Sequence, residues 1–147
     1  MAKRGRRSPV DRARYREYYS VAEHFFVAAK DSLDLGYWTA AGVLIVHAAI
    51  AYADALCIRS AGEKSSGENH EDALSLLDQV VPEGEEKANA LNQLHRIIEQ
   101  KTKVSYLGNL YTARQCHDLW KRLQRFREWA QGILNHEFNN EVQHLRK

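Results

Sequence analysis

Cysteine is scarce in this chain. Cys57 and Cys116 are the only two, both at apolar positions and with no C-x-x-C spacing. That pattern excludes a disulfide framework and a cysteine-built zinc site. Both read instead as small buried hydrophobes of a reducing compartment. Proline is equally rare, at Pro9 and Pro82, and no alternating apolar and polar run of strand length occurs; the expected class is all-α. No apolar stretch follows the N-terminal basic residues, so no signal peptide is expected and the expected location is cytoplasmic. Metal-binding spacing is also missing. There is no H-E-x-x-H, and Glu141-x-x-His144 occurs once without a partner unit. His95 and Glu99 share a helical face, but two ligands do not make a site. No metal and no cofactor are expected. Gly62-Glu63-Lys64-Ser65-Ser66 lacks the first glycine of a phosphate loop and follows a helix pattern, so it reads as a turn.

What the chain does have is a helical core and an uneven charge. Its 147 residues fit one domain. Over residues 1–16, seven basic side chains stand against Asp11, a local excess of six, and the remainder has 14 basic against 18 acidic residues. The expected organisation is a basic N-terminal arm at 1–14, a helical bundle at 15–134 and a polar extension at 135–147. An arm of this charge attracts phosphate backbones, whereas solvated, unordered chain is the commoner state of a terminus.

Periodicity divides the bundle into rods. Tyr15, Tyr18, Tyr19, Ala22, Phe25, Phe26, Ala29 and Leu33 form one aromatic-rich stripe, closed by Gly36 as a left-handed cap. A second helix runs from about Trp38 to Ser60, and Asp54 is the only charged residue between Tyr37 and Ile58. An acid near mid-span is expensive in lipid, so this helix is expected at the centre of a bundle and no membrane partner is expected. A polar loop covers 61–69, with Asn69 and Asp72 as cap residues of the next helix. A third rod is interrupted at Pro82 and Gly84 and extends to about Lys103; Val104 to Tyr111 is a connector. Thr112-Ala113-Arg114-Gln115 reads as a capping box opening the last helix. The predicted fold is an antiparallel four-helix bundle with an interrupted third helix.

Two polar residues on the second helix need partners. Asp54 requires donors if buried, and the loop offers backbone amides, Ser65, Ser66 and Lys64, so Asp54 is predicted to pin that loop. His47 lies two turns earlier on the same face and is predicted to be a neutral core histidine. Tyr15, Tyr18, Trp38 and Trp129 fall near helix ends, where exposed aromatics commonly mark an interface.

The segment Ala51-Tyr52-Ala53-Asp54-Ala55 through Gly67 and His70 resembles uncharacterised bacterial members of the HEPN (higher eukaryotes and prokaryotes nucleotide-binding) family. Lys101-x-x-x-x-Tyr106, Thr112 and the Trp120, Phe126, Trp129 helix are similar to that family's last loop and helix. The resemblance implies a helical bundle that pairs into a homodimer and binds RNA, a nucleotide or a partner protein, in some members a nucleotidyltransferase-like companion. Family ribonucleases carry an arginine, four to six intervening residues and a histidine. This chain has no such pair; Lys101 and Tyr106 occupy the corresponding place, and Arg114 and His117 are too close together. A tyrosine with a pKa near 10 is a poor general base at neutral pH. The resemblance therefore implies a non-catalytic binding module, with Asp54, Lys64, Lys101, Lys103 and Arg114 as candidate binding residues. Two alternatives stand beside it. One is a divergent metal-independent ribonuclease of toxin type using Lys101, Tyr106 and His70 or His117; the other is a purely structural oligomer subunit.

Overall fold

A computed structural model describes residues 6–66, 70–107 and 111–145, with side chains at all of these except 101–107 and 136–145. Among the described residues, the elements are a short strand β1 (Arg7–Pro9), a 3-10 turn (Arg12–Arg14), α1 (Tyr15–Asp34), α2 (Trp38–Ala61), a second short strand β2 (Glu63–Ser65), α3 (Glu71–Val80), α4 (Lys87–Leu107) and α5 (Ala113–Leu145). The chain is mostly helical, as the missing strand periodicity predicts.

Helix α2 is the hub. It packs against α1, α3, α4 and α5, and Ile45, Ala48, Ala49, Tyr52, Ala53, Ala55, Leu56 and Ile58 are all shielded from solvent. Its composition explains this place, because alanines let neighbouring backbones approach on every side. It is the one helix among the described residues long and apolar enough to cross a membrane, and 72% of its apolar window is buried in the fold. Gly42 makes the closest approach: a Cβ there would lie 2.6 Å from the Tyr111 ring, so only glycine lets the start of α5 dock on α2. Cys116 reinforces the joint, its thiol donating to the Trp38 carbonyl at 2.9 Å. Gly36, at φ 76°, closes α1 as predicted. Thr112 and Gln115 form the capping box, the Gln115 amide donating to Thr112 Oγ1 at 3.2 Å and the Thr112 amide to Gln115 Oε1 at 2.9 Å.

Four features depart from the sequence reading. First, the N-terminal arm enters the fold. β1 pairs antiparallel with β2, Arg7 opposite Ser65 and Pro9 opposite Glu63, and the Val10 amide donates to the Gly62 carbonyl at 2.8 Å. Three residues per strand are too few to show alternation. Second, α4 continues past Lys103 to Leu107 and α5 past Leu134 to Leu145, because polar residues that spoil an apolar stripe still propagate a helix. Third, His47 is exposed, its ring 5.6 Å from that of Phe25. An Ala-rich helix apolar on nearly all sides does not reveal which face is outward. Fourth, the break between α3 and α4 is held by a buried lysine. Lys87, 4% exposed, donates to the carbonyls of Asp78 and Val81 at 2.8 and 3.0 Å and to Glu83 Oε1 at 2.8 Å. It satisfies carbonyls at the end of α3 that no further helical turn can reach. The Glu83 hydrogen bond holds its pKa above the ordinary lysine value.

Candidate functional site

The arm, β2 and the first turns of α1 build one corner of the molecule. Gly62, at φ 66°, ends α2 in a left-handed conformation and turns the chain into β2. The ribbon then folds the arm back, and the Asp11 carboxylate caps the 3-10 turn by accepting from the Ala13 amide at 3.0 Å. Cations collect around two tyrosines. Arg59 and Arg16 lie 5.3 and 5.7 Å from the centre of the Tyr15 ring, and Arg14 and Lys64 lie 5.8 and 5.9 Å from that of Tyr18. Tyr15 is buried, Tyr18 half-buried, and Arg6, Arg12, Arg14 and Arg16 face solvent. Acids neutralise part of the charge: Glu17 pairs with Arg14 at 3.0 Å and Glu63 with Arg7 at 3.7 Å. Arg12 extends its side chain beside Gly62, where a Cβ would meet Arg12 Cγ at 3.4 Å.

Asp54 lies near this corner, one turn before Cys57. Burial pushes its pKa up to about 6, with the Lys64 charge pulling the other way. The predicted hydrogen bonds from Ser65, Ser66 and the Lys64 ammonium to its carboxylate are not formed among the described residues. Lys64 acts on Asp54 through its charge alone. Among the described residues the β1–β2 ladder, not Asp54, holds the loop. Burial, followed by the Asp54 charge, also drives the Cys57 thiol far above the ordinary cysteine range, so this thiol stays protonated.

The other candidates gather elsewhere. Arg114 lines a small cavity of about 200 Å³ with Gln100, Gln115, Asp118 and Leu119, where α4 meets the start of α5. Gln100 Oε1 is buried there with no hydrogen-bond partner among the described residues. His117 is exposed, its ring 5.5 Å from that of Trp38 at the start of α2. The side chains of Lys101, Lys103 and Tyr106 lie outside the described residues; their backbone forms the last turns of α4. Asp54 sits 16 residues beyond Trp38 on α2, roughly 24 Å of helical rise. Asp54 and Lys64 thus belong to one end of α2, and Arg114 and His117 to the other. His70 precedes α3 at its cap position, next to Glu71, whose carboxylate lies 3.5 Å from His95. Gly67 and Asn69 lie outside the described residues. Among the described residues no three His, Cys, Asp or Glu side chains converge as metal ligands would.

A polar network between α1, α2 and α5 escaped the sequence reading. Arg127 donates to Glu23 Oε2 at 2.8 Å and Oε1 at 3.3 Å, and to the Tyr52 hydroxyl at 3.0 Å. Its guanidinium also lies 4.1 Å from the centre of the Phe26 ring. Gln131 adds donations to Glu23 Oε1 at 3.0 Å and to the Tyr19 hydroxyl at 2.8 Å. Burial alone would raise the Glu23 pKa, but the Arg127 and Tyr19 hydrogen bonds outweigh it and hold the carboxyl below its ordinary value. Burial pushes the Tyr52 phenol well above the tyrosine range. The available signal was a glutamate inside the aromatic stripe of α1 and an arginine directly after Phe126 on the apolar side of α5.

A family model of the HEPN domain matches residues 15–133, most of the chain. The chain belongs to the HEPN domain family. No curated protein and no solved structure matches it.

Proposed function

We propose that this HEPN-domain chain is a non-catalytic RNA-binding module that grips phosphates with its folded N-terminal arm. One observation carries the reading: the arm is fastened by the β1–β2 ladder, so Arg14 and Lys64 at Tyr18, Arg16 at Tyr15 and Arg12 beside Gly62 form a fixed basic surface rather than a loose tail. Cations of this density attract a nucleic-acid backbone, and an accessible tyrosine face stacks an unpaired base. In this reading α1, α2, α4 and α5 form the antiparallel four-helix bundle, with α3 and α4 as its interrupted third rod. The bundle is the scaffold and the arm is the binding surface. The module works in the cytoplasm, where its free thiols Cys57 and Cys116 stay reduced. It pairs as a homodimer through the exposed valines Val21, Val27 and Val43 of α1 and α2.

The non-catalytic half of the reading rests on the absence from the sequence of an arginine and histidine at the nuclease spacing, with Tyr106 in the histidine's place. RNA bound by this chain stays intact.

The test is a salt titration of single-stranded RNA affinity with the full chain and with an Arg12→Gln, Arg14→Gln, Arg16→Gln variant. Loss of three phosphate contacts lowers the log–log salt slope by about 2. An unchanged slope removes the arm from the binding surface. Cleavage without divalent metal, abolished by Tyr106→Phe, replaces this reading with the ribonuclease one.

A further inference from the structure

A second surface is unlike the arm in every respect. Where the α3–α4 junction faces α5, two adjoining hollows of about 480 and 290 Å³ share Glu86, Trp129 and Gly132. Pro82, Trp129 and Ile133 supply an apolar floor, and the two α5 residues are half-buried. The rim is acidic: Glu83, Glu85 and Glu86 stand on the junction side and Glu128 on α5. Two cations oppose these four carboxylates. Lys87 is buried and committed to Asp78, Glu83 and the end of α3, which leaves Arg125 as the exposed one.

Gly132 gives the groove its second, independent mark. It lies inside α5, where glycine is among the worst helix formers, and nothing among the described residues demands it. Its φ is not positive, and a Cβ built there meets no atom of the described residues within 4 Å. The two usual physical reasons for a helical glycine, backbone geometry and close packing within the chain, are both missing. The open space above it lies beside the Trp129 face and is bounded by carboxylates.

We propose that this groove docks a basic, amphipathic segment of a protein partner, an apolar side chain seated over Gly132 against Trp129 and its lysines or arginines on Glu85, Glu86 and Glu128. Charge complementarity selects the occupant. A nucleic acid would face four carboxylates, and a second copy meeting this face with its own would bring the same acids into contact with themselves. An aromatic wall with a side-chain-sized opening is the usual form of an anchoring pocket. This inference does not depend on RNA binding by the arm.

The test uses a fluorescein-labelled peptide of about twelve residues, long enough for three helical turns, with lysines and arginines around two leucines. Anisotropy is read with the full chain, the Gly132→Leu variant and the Glu85→Lys, Glu86→Lys variant. Leucine over the open space fills the groove and favours the helix, so the melting temperature holds or rises while peptide affinity falls at least about tenfold, a loss of about 1.4 kcal/mol. The exposed double substitution weakens binding by a similar factor without touching the core, so the proposal remains testable if Gly132→Leu folds poorly. A peptide with serines for leucines binds at least about fivefold more weakly if the floor takes part, a difference within reach of one apolar anchor. The proposal is overturned by no binding at about 100 μM chain, by equal binding of the serine peptide, by peptide affinity unchanged in the two variants, or by single-stranded RNA that loses affinity with Gly132→Leu.

Discussion

Glu23 and Asp54 are both half-buried carboxylates, one on α1 and the other on α2, and the fold treats them in opposite ways. Glu23 accepts from Arg127 and Gln131, and its pKa is held down against the cost of its own burial. Asp54 has no hydrogen bond among the described residues, and burial lifts its pKa to about 6 with Lys64 as the only opposing charge. The first carboxylate stabilises the protein as an anion and the second destabilises it as one. A fold that carries an unpaired charge beside a basic surface keeps a group it does not need for packing. Such misfits of stability cluster at functional sites.

The comparison breaks first, and by the largest amount, at Arg127. Arg127→Met removes three of the network's donations and leaves Glu23 with Gln131, Tyr19 and Tyr52. Loss of one partner from a fully buried pair costs about 3–5 kcal/mol; with Arg127 and Glu23 side chains 28% and 24% exposed, the expected cost is about 2–3 kcal/mol. Urea midpoints at pH 7 measure it. Because the Glu23 pKa is lowered in the folded state, its contribution is complete above the unfolded value near 4.5 and fades as pH falls through the folded one. The gap between wild type and Arg127→Met therefore narrows on acidification below about pH 4. A pH-independent gap would assign the cost to lost packing on Phe26 instead.

Asp54→Asn is the mirror experiment, with a smaller effect of the opposite sign. The folded pKa of about 6 lies above the ordinary 3.8, so the folded state binds protons more tightly than the unfolded one. The ionised carboxylate penalises folding fully above about pH 6, less between pH 6 and 3.8, and not at all below. The asparagine variant is expected to be more stable than wild type by roughly 1–3 kcal/mol at pH 7 and equal to it below pH 4. Thermal melts across that range decide the matter. Destabilisation at neutral pH would mean that Asp54 does hold the loop, as the sequence reading expects, and the contrast with Glu23 would disappear.

That expectation for Asp54 shows how far residue patterns reach. Local signals translate directly into structure: the aromatic stripe of α1, the Gly36 cap, the Thr112–Gln115 box and the apolar α2 each depend on residues within a turn or two. The Glu23–Arg127 pair spans 104 positions, and no periodicity links residues so far apart. The β1–β2 ribbon joins Arg7 to Ser65 through strands too short to alternate. His47 and Asp54 could be assigned to one face of α2, but a helix coated in alanine hides which face is turned outward. Of the candidate site, the basic character of the arm was legible and its folding onto Tyr15 and Tyr18 was not. The acidic groove at Trp129 was invisible too, because its two walls come from the α3–α4 junction and α5.

The finest probe of the comparison is Lys64. Among the described residues its ammonium supplies the one charge that favours ionised Asp54, so Lys64→Met removes a favourable interaction in the wild-type background and nothing equivalent once Asp54 is asparagine. In wild type the Asp54 titration, followed by carboxyl carbon chemical shift, moves upward from about 6. Stability at pH 7 falls by about 0.2–1 kcal/mol, the range of a solvent-screened pair. In the Asp54→Asn background the same substitution loses only the contact with the Tyr18 ring, which both legs share, and the difference between the two legs of the cycle is the coupling itself. A coupling of zero would mean that solvent fully screens Lys64. Asp54 would then be a carboxylate with no partner among the described residues, its contrast with Glu23 as wide as the fold allows, and the basic surface around Tyr18 would act independently of it.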